Sequence, residues 1–257
     1  MRLAILSDIH GNPIALDAVL ADIDAGGGVD GYLVLGDLVA LGYDPVGVLE
    51  RLVALKGAAF LRGNTDRYVV TGDRPPPSVQ DARQNPDLLP RLIEVANSFA
   101  WTQGYVAASG WLDWLAKLPL ELRLNLPDKT RLLSVHASPG RDDGNGITPT
   151  TTIDLLQELV AGCEADLVCV GHTHLPLDRR VGMVRVVNVG SVSNPLTDDL
   201  RANYVLLAAT HSEYQLQQRR VDYDHQAVIE AVRRSRHPAA EFLIGFHTPR
   251  HAVDFSH

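Results

Sequence analysis

The sequence predicts an α/β protein with two groups of β-strands and a helical segment between them. Short apolar runs alternate with stretches in which apolar residues recur every three or four positions, which is typical of strands followed by helices. In the first group, three runs each end directly before a polar residue. Because ligands gather at the carboxyl ends of strands in α/β sheets, these polar residues are candidates for a functional site.

The first group alternates strands, polar loops and helices. Pro13 opens the first helix, because proline is favoured at the first helical position, and the glycines at 26–28 end it. The predicted elements are strands at 2–7, 31–35 and 58–61, with helices that start at Pro13 and span 45–55.

The segment at about 72–118 is predicted to be helical after a proline-rich loop. The prolines at 75–77 exclude a helix interior or a central strand there. Two stripes of apolar residues at helical spacing follow: Leu88, Leu89, Leu92, Ile93, Val95, Ala96, Phe99 and Ala100, then Trp111, Leu112, Trp114, Leu115 and Leu118. We expect both stripes to pack in the core. We also hypothesise that this segment caps the site, because it lies between the polar motifs.

The second group of strands follows Pro119. The predicted elements are strands at 120–126, 131–135, 167–170, 181–189, 204–208 and 214–221, a helix at 153–160, and a C-terminal helix from about 224. His247 to His257 is expected to be a frayed tail. Neither an internal repeat nor a linker is apparent in the sequence, so we expect one domain over 1–257.

Composition and charge limit the partners of the chain. Its 257 residues are 46% hydrophobic and 21% charged, which is typical of a folded globular protein. The formal net charge of −8 disfavours long nucleic acids and anionic membrane surfaces as partners. A phosphate substrate therefore needs local positive charge, which bound metal ions could supply.

The cysteines and the apolar segments point to a cytoplasmic protein. Cys163 and Cys169 both lie beside apolar residues, so we expect buried thiols in a reducing compartment, with a disulfide between them as the less favoured alternative. No apolar stretch in the sequence reaches the roughly 18 residues of a membrane helix, and no signal peptide is apparent. The sequence does not indicate an oligomeric state.

Five polar motifs, each close after an apolar run, form the strongest functional signal. They are Asp8-x-His10, Gly36-Asp37, Gly63-Asn64, Val135-His136 and Gly171-His172-Thr173-His174. Each one alone has an ordinary interpretation as a turn, a helix cap or a buried histidine. Together they supply carboxylate, carboxamide and imidazole groups, which bind divalent cations. We expect the two histidines of the last motif to lie on the same side of an extended chain.

In this combination the chain resembles the calcineurin-like metallophosphoesterase superfamily, whose motifs run D-x-H, G-D, G-N-H-[D/E], H and G-H-x-H in this order. The stretches at 7–12, 61–66 and 188–192 are similar to the compact bacterial and archaeal phosphodiesterase branch. The resemblance implies a four-layer α-β-β-α sandwich of two mixed β-sheets with flanking helices.

The resemblance also implies two divalent metal ions, with manganese expected and iron or zinc as alternatives. It assigns one ion to Asp8, His10, Asp37 and His174, and the other to Asp37, Asn64, His136 and His172. Asp37 then bridges the ions, and Asp37, Asn64 and His10 are the expected catalytic residues. A hydroxide shared by the two ions attacks phosphorus in this scheme.

Thr65 departs from the family pattern. The superfamily places a histidine after the asparagine, whereas this chain reads Gly63-Asn64-Thr65-Asp66. Threonine is a poor proton donor, and general acid catalysis is typically worth about 10²–10⁴-fold. The loss of this general acid should slow least the hydrolysis of substrates with acidic leaving groups or ring strain.

Four residues are candidates for contact with the substrate, namely Arg62, Thr65, Asp66 and Ser138. Arg62 could equally form a solvent-facing salt bridge, and Asp66 could orient the backbone of its own loop. The remaining histidines, at 211, 225, 237, 247, 251 and 257, are expected at the surface.

We therefore expect a dimetal phosphodiesterase that hydrolyses small nucleotide-type or activated phosphoesters. A serine/threonine protein phosphatase or a nuclease of the same superfamily is the nearest alternative. A metal-dependent binding protein without turnover is the alternative from a different class.

Overall fold

Two five-stranded mixed sheets form the centre of the protein. The computed structural model describes residues 1–248. Its strands are β1 (Arg2–Leu6), β2 (Gly31–Val34), β3 (Ala58–Phe60), β4 (Glu121–Asn125), β5 (Arg131–Val135), β6 (Leu167–Val170), β7 (Leu177–Val181), β8 (Val184–Asn188), β9 (Ala202–Ala209) and β10 (Tyr214–Val221). The first sheet has the order β10-β9-β1-β2-β3, and the second has the order β4-β5-β6-β8-β7.

The helices begin where the sequence supplies caps. Asn12 accepts a hydrogen bond from the Ala15 amide at 3.1 Å, and Asp44 accepts one from Gly47 at 2.8 Å, so each caps a helix that starts with proline. The helices are α1 (Pro13–Ala25), α2 (Pro45–Val53), α3 (Asn64–Thr71), α4 (Val79–Gln84), α5 (Leu89–Ala108), α6 (Leu112–Ala116), α7 (Ile153–Val160), α8 (His225–Arg234) and α9 (Ala240–Ile244).

The sheets pack face to face, with helices on both outer faces. Leu3 and Ile5 of β1 share the inner core with Leu132 of β5, whereas Ala4 and Leu6 belong to an outer core that includes α1 and α2. On the other side, α7 packs with β5 and β6 in a third cluster. Both faces of β1 are therefore buried, which explains its continuous apolar run. The predicted four-layer sandwich is confirmed.

The carboxyl ends of the central strands meet at one edge of the sandwich. β1, β2 and β3 run parallel in the first sheet, and β5, β6 and β8 run parallel in the second. The ring of His136, directly after β5, donates from Nδ1 to the Leu35 carbonyl after β2 at 2.6 Å. The loops that carry the polar motifs of both sheets therefore converge.

The strand predicted at 181–189 corresponds to β8, but the prediction misses β7, which directly precedes it. β7 and β8 form a hairpin in which Val181 pairs with Val184, and Gly182 makes the turn with a φ of 55°. In β7, Leu177 and Val181 are buried at the two ends, while the three residues between them are charged. These charges conceal the strand in the sequence, since they suit a sheet edge better than a core.

The first helical stripe is partly wrong. Leu89 and Ile93 are 49% and 50% exposed, whereas α5 buries Val95 and Phe99. The buried face continues through two polar residues, Ser98 and Thr102, and then through Val106. Apolar residues therefore do not mark the buried face of α5 in the sequence. In the second stripe, Leu115 and Leu118 are buried and the other three residues pack partly against the same core.

Two C-terminal histidines are buried, contrary to the prediction that they lie at the surface. His237 is 4% exposed and His247 is 5% exposed, in a short 3₁₀ turn at 245–247. The predicted tail is therefore wrong at His247, which the Tyr223 hydroxyl contacts at 3.4 Å. His211 is exposed as predicted, and His225 is half-buried. His251 and His257 lie outside the described residues.

These buried histidines make stability depend on pH. Burial lowers the pKa of His237 to about 4, and burial together with the nearby His225 lowers that of His247 to about 3. An unfolded chain, with ordinary imidazoles, binds protons below about pH 6.5 that the folded chain does not. The contribution of each of these two histidines to the free energy of unfolding should therefore fall by about 2 kcal/mol as the pH drops from about 7.5 to 5.

Urea unfolding of wild type and His237→Asn in chelator, at both pH values, checks this expectation. Asparagine can still accept the amide hydrogen bond that Ala239 donates to His237 Nδ1 at 3.0 Å, but it does not titrate. The variant should lose about 2 kcal/mol less on acidification. Equal losses in the two proteins would contradict the assignment.

Both cysteines are buried free thiols, as predicted. Burial raises the pKa of Cys169 to about 12.

Among the described residues, no helix combines the length and apolar character that crossing a bilayer requires.

Candidate metal centre

The seven candidate ligands lie together where the carboxyl ends of the two sheets meet. They are Asp8 and His10 after β1, Asp37 after β2, Asn64 at the start of α3, His136 after β5, and His172 and His174 after β6. All of them except Asn64 and His136 have positive φ angles, between 49° and 66°. Such conformations cost about 1 kcal/mol or more each, so they persist where the surroundings fix them, typically at functional sites.

Backbone carbonyls orient all four histidines. The rings donate as follows: His10 Nδ1 to Ala40 O at 2.9 Å, His136 Nδ1 to Leu35 O at 2.6 Å, His174 Nδ1 to Asn194 O at 2.6 Å, and His172 Nε2 to Gly144 O at 2.7 Å. Since a carbonyl oxygen can only accept, each bond fixes which ring nitrogen carries the proton. The second nitrogen of each ring faces the centre, where it could bind a metal ion once it carries no proton.

The ligands fall into two groups, with Asp37 between them. In the first group, His174 Nε2 lies 3.2 Å from Asp8 Oδ1 and 3.1 Å from His10 Nε2.

In the second group, Asn64 Oδ1 lies 3.1 Å from both His136 Nε2 and His172 Nδ1. Asp37 approaches each group with a different oxygen: Oδ2 is 3.7 Å from His10 Nε2, and Oδ1 is 3.4 Å from His136 Nε2. A carboxylate in this position could contact two ions.

Protons on the histidines balance the buried carboxylates. Burial would raise the pKa of Asp37, but the neighbouring His136 and His10 hold it below its usual range. Burial also opposes a charge on His136, yet the Asp37 carboxylate outweighs it and raises the pKa of His136 to about 10. Cations would displace such protons, so metal binding at this centre is coupled to proton release.

The chemistry of the donor set fits divalent cations. Asp8 Oδ1 is buried and has no hydrogen-bond partner among the described residues. His10 Nε2 and His174 Nε2 face each other at 3.1 Å while both Nδ1 atoms are committed as donors, so two lone pairs would repel unless a proton or cation lies between them. Three of these side chains, Asp8, His10 and His174, could hold one ion, and Asp8, Asp37 and His136 form a second such group.

Two glycines allow the ligand loops to approach closely. A Cβ at Gly63 would lie 2.0 Å from Asp37 Oδ1, and a Cβ at Gly171 would lie 1.9 Å from Ser7 Oγ and 2.5 Å from Asp8 Oδ2. The glycines in the Gly-Asn and Gly-His-x-His motifs are therefore steric requirements of the centre.

The expected extended conformation of the last motif is wrong. β6 ends at Val170, and both His172 and His174 adopt the left-handed region, with φ angles of 66° and 57°. The two rings consequently reach different groups: His172 contacts Asn64, and His174 contacts Asp8.

Asp66 organises the loops around Asp37. Its carboxylate accepts hydrogen bonds from the amides of Asp37, Leu38 and Gly63 at 2.8, 2.9 and 2.9 Å. Burial and the nearby Asp37 carboxylate raise the pKa of Asp66 to about 7, although the three amides favour its charged form. These contacts match the loop-orienting alternative for Asp66.

The other predicted substrate contacts lie in different surroundings. Thr65 donates its amide to Asp37 Oδ1 at 3.0 Å, and its buried Oγ1 has no hydrogen-bond partner in the described chain. Arg62 pairs with Asp142 at 2.8 Å, in agreement with the salt-bridge alternative. Ser138 lines a separate cleft beside α7.

Tyr68 supports the centre but belongs to none of the sequence motifs. Its hydroxyl donates to Asp143, and the Asn64 side chain lies next to it. Asn64 in turn directs its carbonyl oxygen towards His136 and His172. The signal in the sequence is the spacing of four between Asn64 and Tyr68, which places both on one face of α3.

The end of β8 and the segment after it tie the two sheets together at the centre. Asn188 Nδ2 donates to the Gly171 carbonyl at 2.8 Å, and Ser191 Oγ donates to the Asp8 carbonyl at 2.9 Å. The Ser193 amide also donates to Asp8 O, at 3.0 Å. These bonds fix the first and last ligand motifs relative to each other.

A cleft opens over the candidate ligands. Its polar floor consists of His10, Asp37, Asn64, Thr65, His172 and His174, and its walls consist of Leu41, Pro75, Pro76, Arg91, Val95, Phe99 and Phe242. The segment at 72–118 supplies most of these wall residues. This position agrees with the cap hypothesis, which stays a prediction.

An α-β-β-α sandwich whose joined sheet edge carries this ligand set has the architecture of a metallophosphoesterase. A model of the calcineurin-like phosphoesterase superfamily domain matches residues 1–213. The chain therefore belongs to the calcineurin-like phosphoesterase superfamily, as its motifs predict.

Similar proteins extend over nearly the whole chain. An uncharacterized protein from Methanocaldococcus jannaschii is 27% identical over 252 residues, covering 92% of this chain and 93% of that protein. A hypothetical protein from Pyrococcus horikoshii has a similar structure, with a TM-score of 0.79 and 21% identity, covering 96% of this chain and 98% of its own. A metallophosphoesterase from Sphaerobacter thermophilus has a TM-score of 0.75 and 24% identity, covering 97% and 98%. The two structures share the fold.

Proposed function

We propose that this chain is a dimetal phosphodiesterase that hydrolyses small nucleotide-type or activated phosphoesters in the cytoplasm. The observation that carries the proposal is the orientation of the four histidines. Each ring donates a hydrogen bond from one nitrogen to a backbone carbonyl, and its other nitrogen faces Asp8, Asp37 or Asn64. Two buried free thiols support a reducing compartment.

The residues that would hold the two ions follow the two groups in the centre. Asp8, His10 and His174 would hold the first ion, and Asn64, His136 and His172 the second, with Asp37 shared between them. When bound, such ions act as Lewis acids on phosphate oxygens and lower the pKa of water. The chain itself has to orient these ligands, release the histidine protons that compete with the metal ions, and position the phosphate.

Thr65 argues for a phosphodiester with an acidic leaving group. It lies beside Asp37 and lines the cleft, at the position where the family pattern has a histidine. A threonine hydroxyl can donate a hydrogen bond to a phosphate oxygen, but it does not protonate a basic alkoxide. Manganese is the proposed metal, and iron and zinc are the alternatives. A mixed oxygen and nitrogen donor set accepts all three.

Hydrolysis of bis-p-nitrophenyl phosphate and of p-nitrophenyl phosphate with added Mn²⁺ tests the proposal. We expect kcat/KM to be at least about 10-fold higher for the diester, which equals about 1.4 kcal/mol of transition-state preference. A faster monoester reaction would favour a phosphatase. Turnover of neither compound by a chain with two bound ions would favour a binding protein.

A further inference from the structure

We propose that the wall of the cleft formed by α5 and α9 is a subsite for a planar aromatic ester group, such as a nucleobase, on the phosphodiester substrate. The proposal rests on the function proposed above and names the part of the substrate that the ligand centre does not contact. We call this surface the aromatic wall, and it consists of Arg91, Val95 and Phe99 from α5 and Phe242 from α9.

The aromatic wall presents flat surfaces. The Arg91 guanidinium lies over the Phe242 ring, with 4.1 Å between Cζ and the ring centroid. A second ring, Phe99, lies at the base of the same cleft and is fully buried, so it supports the wall while Arg91 and Phe242 supply the accessible flat surfaces. Nucleobases stack on aromatic rings and on guanidinium planes alike.

Contacts between distant parts of the chain hold the wall in place. Trp101 of α5 packs edge-on against His237, just before α9, with 4.5 Å between the ring centroids. Phe242 packs against the cluster of buried residues that joins α8 and α9. The wall is therefore part of the folded structure and is built before substrate arrives.

The composition of the cleft favours a planar apolar group over a second phosphate. Seven residues form the sides of the cleft. Six of them are apolar, and the seventh is Arg91. Arg91 also lies 4.0 Å from Glu94 Oε2, so its positive charge is already partly compensated. The floor carries the polar ligands, so one phosphate can lie on the floor while its ester group rests on the wall.

The ligands and Phe242 come from different parts of the chain. All seven candidate ligands fall within the residues that match the superfamily model, 1–213, whereas α8 and α9 follow them. The wall thus adds to the ligand centre a surface suited to recognising the ester group.

Two diesters with the same leaving group test the subsite. Thymidine 5′-p-nitrophenyl phosphate and methyl p-nitrophenyl phosphate both release p-nitrophenolate, so the ester that remains on phosphorus is what differs. With Mn²⁺, we expect wild-type kcat/KM to be at least about 10-fold higher for the thymidine diester. Phe242→Leu should lower kcat/KM for the thymidine diester about 10-fold and change kcat/KM for the methyl diester less than about 2-fold.

Phe246→Leu is the matched control. Phe246 is half-buried like Phe242 and packs against it, with 5.2 Å between the ring centroids. Among the described residues, however, it does not line the cleft. We expect this variant to keep the wild-type preference.

The outcomes separate the subsite from the proposed function. Equal kcat/KM values for the two diesters in wild type would overturn the subsite and leave the phosphodiesterase intact, even if Phe242→Leu fails to fold. A folded Phe242→Leu variant with the wild-type preference would also overturn it. Hydrolysis of neither diester would overturn the proposed function and the subsite with it.

Discussion

Asp37→Asn should lower kcat for bis-p-nitrophenyl phosphate by about 10³-fold, equal to about 4 kcal/mol of transition-state stabilisation. Asp37 lies between the two ligand groups, with one oxygen 3.7 Å from His10 Nε2 and the other 3.4 Å from His136 Nε2. Asparagine has the same size and can still accept the Thr65 amide. It lacks the negative charge and the second oxygen that sharing two cations requires.

Steady-state kinetics with saturating Mn²⁺ check this expectation, and Asp22→Asn is the control. Asp22 is a half-buried carboxylate that pairs with Arg219 at 2.8 Å and accepts from Tyr204 at 2.6 Å, away from the cleft. The control should keep turnover within about 3-fold of wild type. Full turnover in Asp37→Asn, with two ions retained, would rule out a bridging role.

Mn²⁺ should stabilise the chelated protein by about 4 kcal/mol per ion when its free concentration is a thousandfold above Kd. The reason lies in the buried charges of the ligand centre. Asp8 and Asp37 are 0% and 2% exposed, and without metal they are balanced by protons on His174 and His136. A cation that binds the folded centre and has few organised ligands in the unfolded chain shifts the unfolding equilibrium towards the folded state.

Urea unfolding in chelator and at increasing Mn²⁺ concentrations measures this stabilisation. Asp8→Asn should show a smaller gain, because it removes a carboxylate whose buried Oδ1 faces the first ligand group. An unfolding midpoint that chelator leaves unchanged would argue against an occupied centre in the purified protein.

The sequence predicts that the candidate ligands lie together in the fold, because chemically distinctive residues directly follow buried strands. Asp8 and Asp37 could be proposed from their places after β1 and β2, since the carboxyl ends of parallel strands meet at one edge. The orientation of the ligands could not be predicted in this way. It depends on backbone carbonyls, such as those of Ala40 and Asn194, and every residue type carries a carbonyl.

The missed buried face of α5 and the missed strand β7 share a physical cause, namely polar residues on buried or paired surfaces. Ser98 and Thr102 lie on the buried face of α5, and the Thr102 hydroxyl donates to the Ser98 carbonyl at 3.1 Å, which satisfies it without water. The charged middle of β7 hides a strand for a similar reason. Phe242 could not be placed over the cleft, because its contact with Arg91 joins residues far apart in sequence.

Metal stoichiometry measured together with turnover tests the central claim most directly. The chelated chain is titrated with Mn²⁺, bound metal is measured by elemental analysis, and hydrolysis of bis-p-nitrophenyl phosphate is followed at each step. We predict that activity appears as the chain binds two ions and that Asp37→Asn loses both the activity and at least one ion. Full activity of the metal-free chain, or two tightly bound ions without any diester hydrolysis, would contradict the account.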